Sequence, residues 1–361
     1  MNQNQKIKVL LIAPLPKKHA FGGISVWSIQ YLSWCKNRTD IEVKIIDNAA
    51  VDKNGIDISY TKNIFKKIKY SLLIKKKIKE AIKSFGPDII HFNSSCSPFG
   101  SIRDKTFIRI FNKNNIKSIF HCRCNIEDQL QDSKIGKRFF KWNCNHVDAV
   151  LTLNSTSYEY VKKNGQNNVF KVGNFIDAKK IVNKKIINDE IKQIVFVGHM
   201  EYKKGFGDVV FASKAFPNYT FIACSPITNE FSFLKNEPLP NLIVTGQISH
   251  DDVLKILDES DVFFFPTRTE GFSNALLEAM ARGLPIITNK FAGANYDMLE
   301  NDGALYYKPS DHNQLKKSLE MIKNQKLRQS MSSWNIEKVN KKYTVDMSMQ
   351  ELMEIYKKLL F

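Results

Sequence analysis

Short apolar runs, each closed by a polar or turn-forming residue, recur along the chain with helix-length amphipathic segments between them. That alternation constrains the fold more than any other feature. Strands apolar on both faces must be covered on both, and intervening helices supply the crossovers of a parallel sheet. In the first half the runs are "KVLLIAP" (8–14), "VKIID" (43–47), "PDIIHFNS" (87–94), "KSIFHCR" (117–123) and "DAVLTLNS" (148–155). Between them "GISVWSIQYLSWCK" (23–36), opened by Gly22-Gly23, reads as a helix. So does the basic "IFKKIKYSLLIKKKIKEAIKSF" (64–85), with Ile78, Ala81, Ile82 and Phe85 on one face. After an irregular polar segment near 173–192 the pattern restarts with "QIVFVGH" (193–199), "YTFIACS" (219–225), "NLIVTG" (241–246), "DVFFFPT" (261–267) and "LPIITN" (284–289), and the chain closes in helices. With 361 residues there is material for two cores. Two doubly wound α/β domains joined by a linker follow; one large single sheet is the alternative.

Composition narrows the class. Hydrophobic residues at 43% and charged residues at 25% describe a soluble globular chain rather than a disordered or membrane one. "MNQNQKIKVLLIAPLPKK" runs from its apolar part into a Pro-rich loop, which reads as a buried first strand rather than a signal peptide. No run reaches the ~18 apolar residues of a spanning helix. Six cysteines, Cys35, Cys96, Cys122, Cys124, Cys144 and Cys224, are scattered without CxxC spacing. Cys122-x-Cys124 with His121 and Cys144 is a poor structural zinc pattern, so free thiols in a reducing cytoplasm are expected. Net charge is +18, and residues 1–175 carry nearly all of it, 30 Lys and Arg against 13 Asp and Glu. Such asymmetry marks a half that faces a polyanion, nucleic acid or an anionic bilayer.

In open parallel sheets ligands bind beyond the carboxyl ends of the strands, and the suggestive motifs lie there. In "PTRTEGFSNALLEAMARGLPIIT" (266–288), Pro266 ends a strand, Glu270-Gly271-Phe272-Ser273 turns, and a helix opens with Ser273 as N-cap and Asn274 behind it. The helix start favours a phosphate, Gly271 lets a ligand approach the backbone, and Glu278 lies one turn inside, where a carboxylate accepts hydrogen bonds from vicinal hydroxyls. Taken singly, Glu278 reads as a dipole-stabilising acid and Glu270 as a solvated loop residue; taken together with the turn, they read as a site. "FVGHMEYKKG" (196–205) ends a strand at Gly198-His199 and places Lys204 before a helix, where an ammonium suits a diphosphate or is merely solvated. Gly22-Gly23, in "PLPKKHAFGGIS" (14–25), offers amides to a phosphate without forming a P-loop or GxGxxG motif. His91 and His121 follow strand residues; Asn93, Arg123 and the loop residue His19 are candidates on the acceptor side.

These residues together resemble the retaining GT-B glycosyltransferases of family 4, over nearly the full length. The resemblance rests on Gly22-Gly23, "PDIIHFN", His121, "AVLTLNS", "GNFID" (173–177), "FVGHMEYKKG" and "EGFSNALLE" as the E-x7-E element. It implies two facing Rossmann-like domains: 1–173 for the acceptor, 174–342 for the nucleotide-sugar, and a last helix, 343–361, returning to the first. It implies that Glu278 binds the ribose and Glu270 the hydroxyls of the transferred sugar. Lys204 and the Gly22-Gly23 amides would hold the diphosphate, and His121 would sit near the reacting sugar. Gly198, His199, Gly271, Phe272, Ser273 and Asn274 complete the expected donor set. His199 stands where the family usually has arginine, so the fork that grips a diphosphate is missing at that position.

The activity so implied is metal-independent, retaining transfer of a hexosyl or N-acetylhexosaminyl group from a UDP- or GDP-linked sugar. The acceptor would be a glycan or lipid-linked saccharide of bacterial surface polysaccharide, O-antigen or capsule, in the cytoplasm or at the inner face of the membrane. No D-x-D occurs, and no cofactor beyond the donor is implied. Lys66, Lys67, Lys69, Lys75, Lys76, Lys77 and Lys79 on the 64–85 helix suit an anionic bilayer, or simply solvate a helix packed on its own sheet. A sugar-nucleotide epimerase on the same fold is the rival enzyme; a basic nucleic-acid-binding protein is the rival from another class, against which no aromatic-interleaved basic motif occurs.

Overall fold

The computed structural model describes residues 6–16, 23–49 and 63–361. They form two compact units, one from the chain up to Asn174 together with Val345–Phe361, the other Phe175–Thr344. The first contains β1 (Ile7–Ala13), α1 (Gly23–Lys36), β2 (Ile41–Asp47), α2 (Ile64–Phe85), β3 (Ile89–Ser94), α3 (Pro98–Lys113), β4 (Lys117–Cys122), α4 (Ile126–Leu130), α5 (Lys134–Cys144), β5 (Ala149–Thr152), α6 (Ser155–Lys163) and β6 (Val169–Lys171). Its sheet is parallel throughout, in the order β2-β1-β3-β4-β5-β6.

Period-two alternation in β3 and β4 sorts side chains onto the two faces of this sheet. Ile90, Phe92, Phe120 and Cys122 enter a core with Ile78, Phe107, Phe111 and Phe140. Each such side chain removed from water contributes about 1.5–3 kcal/mol. His91, Asn93, His121 and Arg123 take the opposite face. The register sets Asn93 beside His121 and Ser94 beside Cys122.

Helix α2 is opened by Asn63, whose side chain accepts from the Lys66 N–H, and is closed by Gly86 in the left-handed region at φ +59°. Its C-terminal half buries Ile74, Ile78 and Ala81. Its N-terminal half leaves Ile64, Phe65, Ile68 and Leu72 exposed, Phe65 at 83%. The packed-helix expectation therefore holds for only half of α2.

The second unit contains β7 (Gln193–Val197), α7 (Phe206–Ala215), β8 (Thr220–Cys224), β9 (Leu242–Val244), α8 (His250–Glu259), β10 (Val262–Phe265), α9 (Asn274–Ala281), β11 (Ile286–Thr288), α10 (Asn295–Leu299), β12 (Ala304–Tyr306), α11 (His312–Met321) and α12 (Gln325–Lys342). Its parallel sheet runs β12-β11-β10-β7-β8-β9. Strands succeeding β7 build outward on one side and those from β10 onward build outward on the other. The crevice beyond the carboxyl ends of β7 and β10 is thus the point where strand order reverses. Phe196, Phe206, Phe221, Phe231 and Phe264 fill the core beneath it. The chain ends in α13 (Val345–Leu360), which packs on α1 in the first unit.

Candidate active site

Three loops of the second unit meet at that reversal point. The loop after β7 ends in a 3-10 turn, Tyr202–Lys204, and Gly205 in the left-handed region at φ +74° passes it into α7. A Cβ on Gly205 would stand 2.1 Å from the carbonyl oxygen of Pro266, so only glycine allows the loop after β10 to lie this close. Arg268 N–H donates to the Lys203 carbonyl at 3.0 Å, tying the two loops. On the other side Ala294 N–H donates to the Gly271 carbonyl at 3.1 Å. Gly293, at φ +51°, would place a Cβ 1.8 Å from the Glu270 carbonyl oxygen. The segment carrying Glu270 is fixed by backbone contacts from both flanks.

On this frame Lys204 Nζ pairs with Glu270 Oε2 at 2.7 Å and donates to the Thr269 carbonyl at 3.3 Å. Both charged side chains are about one quarter exposed, 23% each, so the pair is reachable from solvent. Ser273 caps α9, its hydroxyl accepting from Leu276 N–H at 3.2 Å, a contact of about 1 kcal/mol. Glu278, in the second turn of α9, bonds His250 Nε2 at 2.8 Å. His250 opens α8, and the Glu278 carboxylate raises its pKa above the ordinary histidine value. The arrangement offers an ammonium, two carboxylates and the positive end of α9 within one set of loops. It can grip an anion and hydroxyl groups at once.

The first unit holds a second polar group, buried on the face of its sheet that carries α1 and α13. Arg123 Nη1 lies 3.1 Å from His121 Nε2, His121 Nδ1 lies 3.0 Å from His91 Nε2, and His91 Nδ1 lies 2.6 Å from the Tyr356 hydroxyl. Tyr356 continues to Tyr31 at 3.1 Å. Arg123 Nη2 donates to Asn174 Oδ1 at 2.6 Å, and its guanidinium lies 5.0 Å from the Trp27 ring centroid. Burial, reinforced by the Arg123 charge, lowers His91 to about 3 and holds His121 well below its usual value. Burial also brings Arg123 down to about 9, which leaves it protonated at neutral pH.

Residues 177–338 match the model of the family described as glycosyl transferases group 1. An uncharacterized glycosyltransferase of Methanocaldococcus jannaschii is 24% identical over 90% of this chain and 92% of its own. The sucrose-phosphate synthase of Thermosynechococcus elongatus superposes with a TM-score of 0.78 at 14% identity, over 98% of this chain and 99% of that one. The lipopolysaccharide outer core galactosyltransferase WaaB gives 0.74 at 15% identity, over 98% and 99%. The chain thus matches that family over its second unit. Its two six-stranded parallel sheets are the GT-B architecture.

In the second unit Lys204, Glu270, Gly271 and Ser273 of the expected donor set share one frame, with Phe272 buried beneath it against Tyr343. Asn274 begins α9 and Glu278 lies one turn on. Gly198 and His199 follow β7, His199 exposed, with its carbonyl accepting from Glu201 N–H at 2.9 Å. Gly23 is the exposed first residue of α1; Gly22 and His19 lie outside the described residues. Asn93, His121 and Arg123 are brought together, but His121 is fully buried, with both ring nitrogens bonded to protein. Among the described residues no group of three His, Cys, Asp or Glu is placed to hold a metal ion, and Cys122 and Cys124 alternate away from the His121 face.

Sequence reasoning missed His250, Gly293, Trp27 and Tyr356. Of these only Gly293 left a usable signal, as the glycine of a strand-to-helix loop in "TNKFAGAN".

Proposed function

We propose that the chain moves a hexosyl or N-acetylhexosaminyl group from a UDP- or GDP-linked sugar to a glycan or lipid-linked saccharide, with retention at the anomeric carbon and without a metal. The observation that carries this reading is the Lys204–Glu270 pair at the strand-order reversal, beside the N-terminus of α9 and one turn from Glu278. The ammonium pairs with Glu270; a donor diphosphate competes for it and leaves Glu270 to accept from sugar hydroxyls. Glu278, steadied by His250, takes the ribose hydroxyls.

As the anomeric C–O bond breaks, negative charge grows on the leaving diphosphate, where Lys204 and the helix terminus stabilise it. The leaving oxygen takes the proton of the acceptor hydroxyl, and the new C–O bond forms on the same face. No protein nucleophile is assigned. His121, sealed between His91 and Arg123, is a positioning residue in this scheme.

Surface-polysaccharide assembly is the context we favour, in keeping with the lipopolysaccharide galactosyltransferase among the structural relatives. No described helix is long and apolar enough to cross a membrane. The exposed Ile64, Phe65, Ile68 and Leu72, interleaved with Lys66, Lys67 and Lys69, instead fit peripheral contact with an anionic bilayer at the cytoplasmic face. Each lysine near such a surface contributes about 1 kcal/mol.

The deciding experiment incubates the chain with UDP- and GDP-sugars and a saccharide acceptor, in EDTA. Anomeric configuration of the product is read by NMR. Retained configuration and undiminished turnover in EDTA support the reading. An altered nucleotide-sugar formed without acceptor would install the epimerase instead. Vesicle flotation tests the surface: Phe65→Asp should abolish salt-sensitive binding to anionic vesicles, and equal flotation of both proteins would remove the membrane contact.

A further inference from the structure

Arg123 is a buried cation without a counter-ion. It is 7% exposed, and its partners are neutral: a histidine, an asparagine amide and the face of Trp27. Among the described residues no carboxylate bonds it, and its Nε–H has no hydrogen-bond partner. Buried charges are otherwise paired, because an unpaired one carries a desolvation penalty of several kcal/mol.

Beside it stands a second anomaly. Asn93, 3% exposed at the end of β3, lies against His91 without a well-formed hydrogen bond, and neither its amide nitrogen nor its amide oxygen has a partner. Asn93 sits opposite His121 in the β3–β4 register, and Arg123 N–H donates to the Ser94 carbonyl at 2.8 Å, so the two side chains neighbour each other on one sheet face. Their location is the carboxyl edge of the sheet, next to the β1–β3 strand-order reversal, where α/β folds take ligands.

We propose that Arg123 and Asn93 form an oxyanion site, built to take a phosphate or carboxylate group carried by the acceptor. The free Nε–H and the Asn93 NH2 supply the donors, and the unpaired guanidinium supplies the charge. The histidine relay behind Arg123 stays uncharged and holds the fork in place. A neutral saccharide would leave this charge uncompensated, so the acceptor class is anionic. The assignment rests on the transferase reading for the source of the oxyanion, but binding of an oxyanion is measured without turnover, so the two fail separately.

The test titrates inorganic phosphate into the full-length chain carrying Lys204→Met, which disables the diphosphate grip of the second unit. Trp27 emission and the histidine Cε1–H resonances are followed at constant ionic strength. Saturable changes are expected, at least tenfold weaker in Arg123→Gln and severalfold weaker in Asn93→Ala. The Asn93 variant breaks no well-formed hydrogen bond and leaves those of Arg123 intact, so it keeps the test valid if Arg123→Gln does not fold. Titration of acetate and of a phosphorylated saccharide then separates a carboxylate, free phosphate and an acceptor-borne phosphate as the preferred source. A response reproduced by KCl alone, or one unchanged in both variants, overturns the site.

Discussion

Replacing Gly293 with alanine tests whether backbone contact, rather than side-chain charge, holds Glu270 in place. At φ +51° an alanine bears a left-handed penalty of about 1–2 kcal/mol. The added methyl would also stand 1.8 Å from the Glu270 carbonyl oxygen and 2.5 Å from its carbon. Both are main-chain atoms, so relief requires moving the loop, an overpacking cost of about 1–3 kcal/mol. Together Gly293→Ala should destabilise by about 2–5 kcal/mol.

Gly246 provides the control. It is left-handed at φ +73° with nothing within 4 Å of a Cβ, so Gly246→Ala carries the conformational penalty alone. For a unit of this size 1 kcal/mol shifts the unfolding midpoint by about 2–4 °C. Scanning calorimetry should therefore place Gly293→Ala at least about 2 °C below Gly246→Ala. Protection by a nucleotide-sugar should be weakened in Gly293→Ala and intact in the control. Coincident midpoints with equal donor protection would show that the contact with Glu270 carries no weight, and the argument for a locked loop would fail.

Lys204→Met should lower kcat/KM by about a hundredfold to a thousandfold, the loss seen when one preorganised donor to a developing oxyanion is removed; product formation at limiting donor is the assay, and an undiminished rate removes Lys204 from the chemistry. His250→Gln should flatten part of the pH dependence of stability. Because Glu278 raises the folded-state pKa of His250, its contribution is full below the unfolded value of about 6.5 and is lost as pH rises through the raised value. The midpoint gap between wild type and variant should then shrink as pH increases, and a gap that widens contradicts the pairing. Tyr356→Phe deletes the hydroxyl that His91 Nδ1 meets at 2.6 Å, leaving a buried N–H unpaired at about 1–3 kcal/mol. Urea unfolding should show that loss, whereas Tyr306→Phe, whose hydroxyl only donates to the exposed Glu300 carbonyl, should stay within about 0.5 kcal/mol of wild type.

Much of this architecture was legible wherever local chemistry is strong. Helices α1 and α2 span the residues that apolar periodicity and the Gly22-Gly23 opening suggest, and Ser273 caps α9 as its side chain requires. Strands β6 and β12, three residues each, are too short to show alternation and passed unseen. The alternation in "IFHCRC" did place His121 and Arg123 on one face, yet nothing local announces that α13 brings Tyr356 to His91 across 265 residues. The Lys204–Glu270 pair was hidden for the same reason: its partners lie 66 residues apart, and each alone looks like a solvated side chain. His250 gave no signal, because a histidine opening a helix is ordinary until Glu278 is seen beside it.

The buried relay has a direction, and Arg123 sets it. A guanidinium only donates, so His121 Nε2 must be the unprotonated, accepting nitrogen. Its proton then lies on Nδ1 and is donated to His91 Nε2, which forces the His91 proton onto Nδ1 and into the Tyr356 oxygen. Tyr356 shares a further hydrogen bond with Tyr31, and Tyr31 meets the thiol of Cys35, which burial pushes up to about 12 and so keeps protonated. Both histidine tautomers are thereby fixed by one cation, and every member stays neutral except that cation. Such a chain cannot relay a proton to a substrate without reversing all of its bonds, which argues against acid–base work at His121. What it can do is hold Arg123 rigid while tying α1, α13, β3 and β4 together through side chains that leave the guanidinium charge unspent.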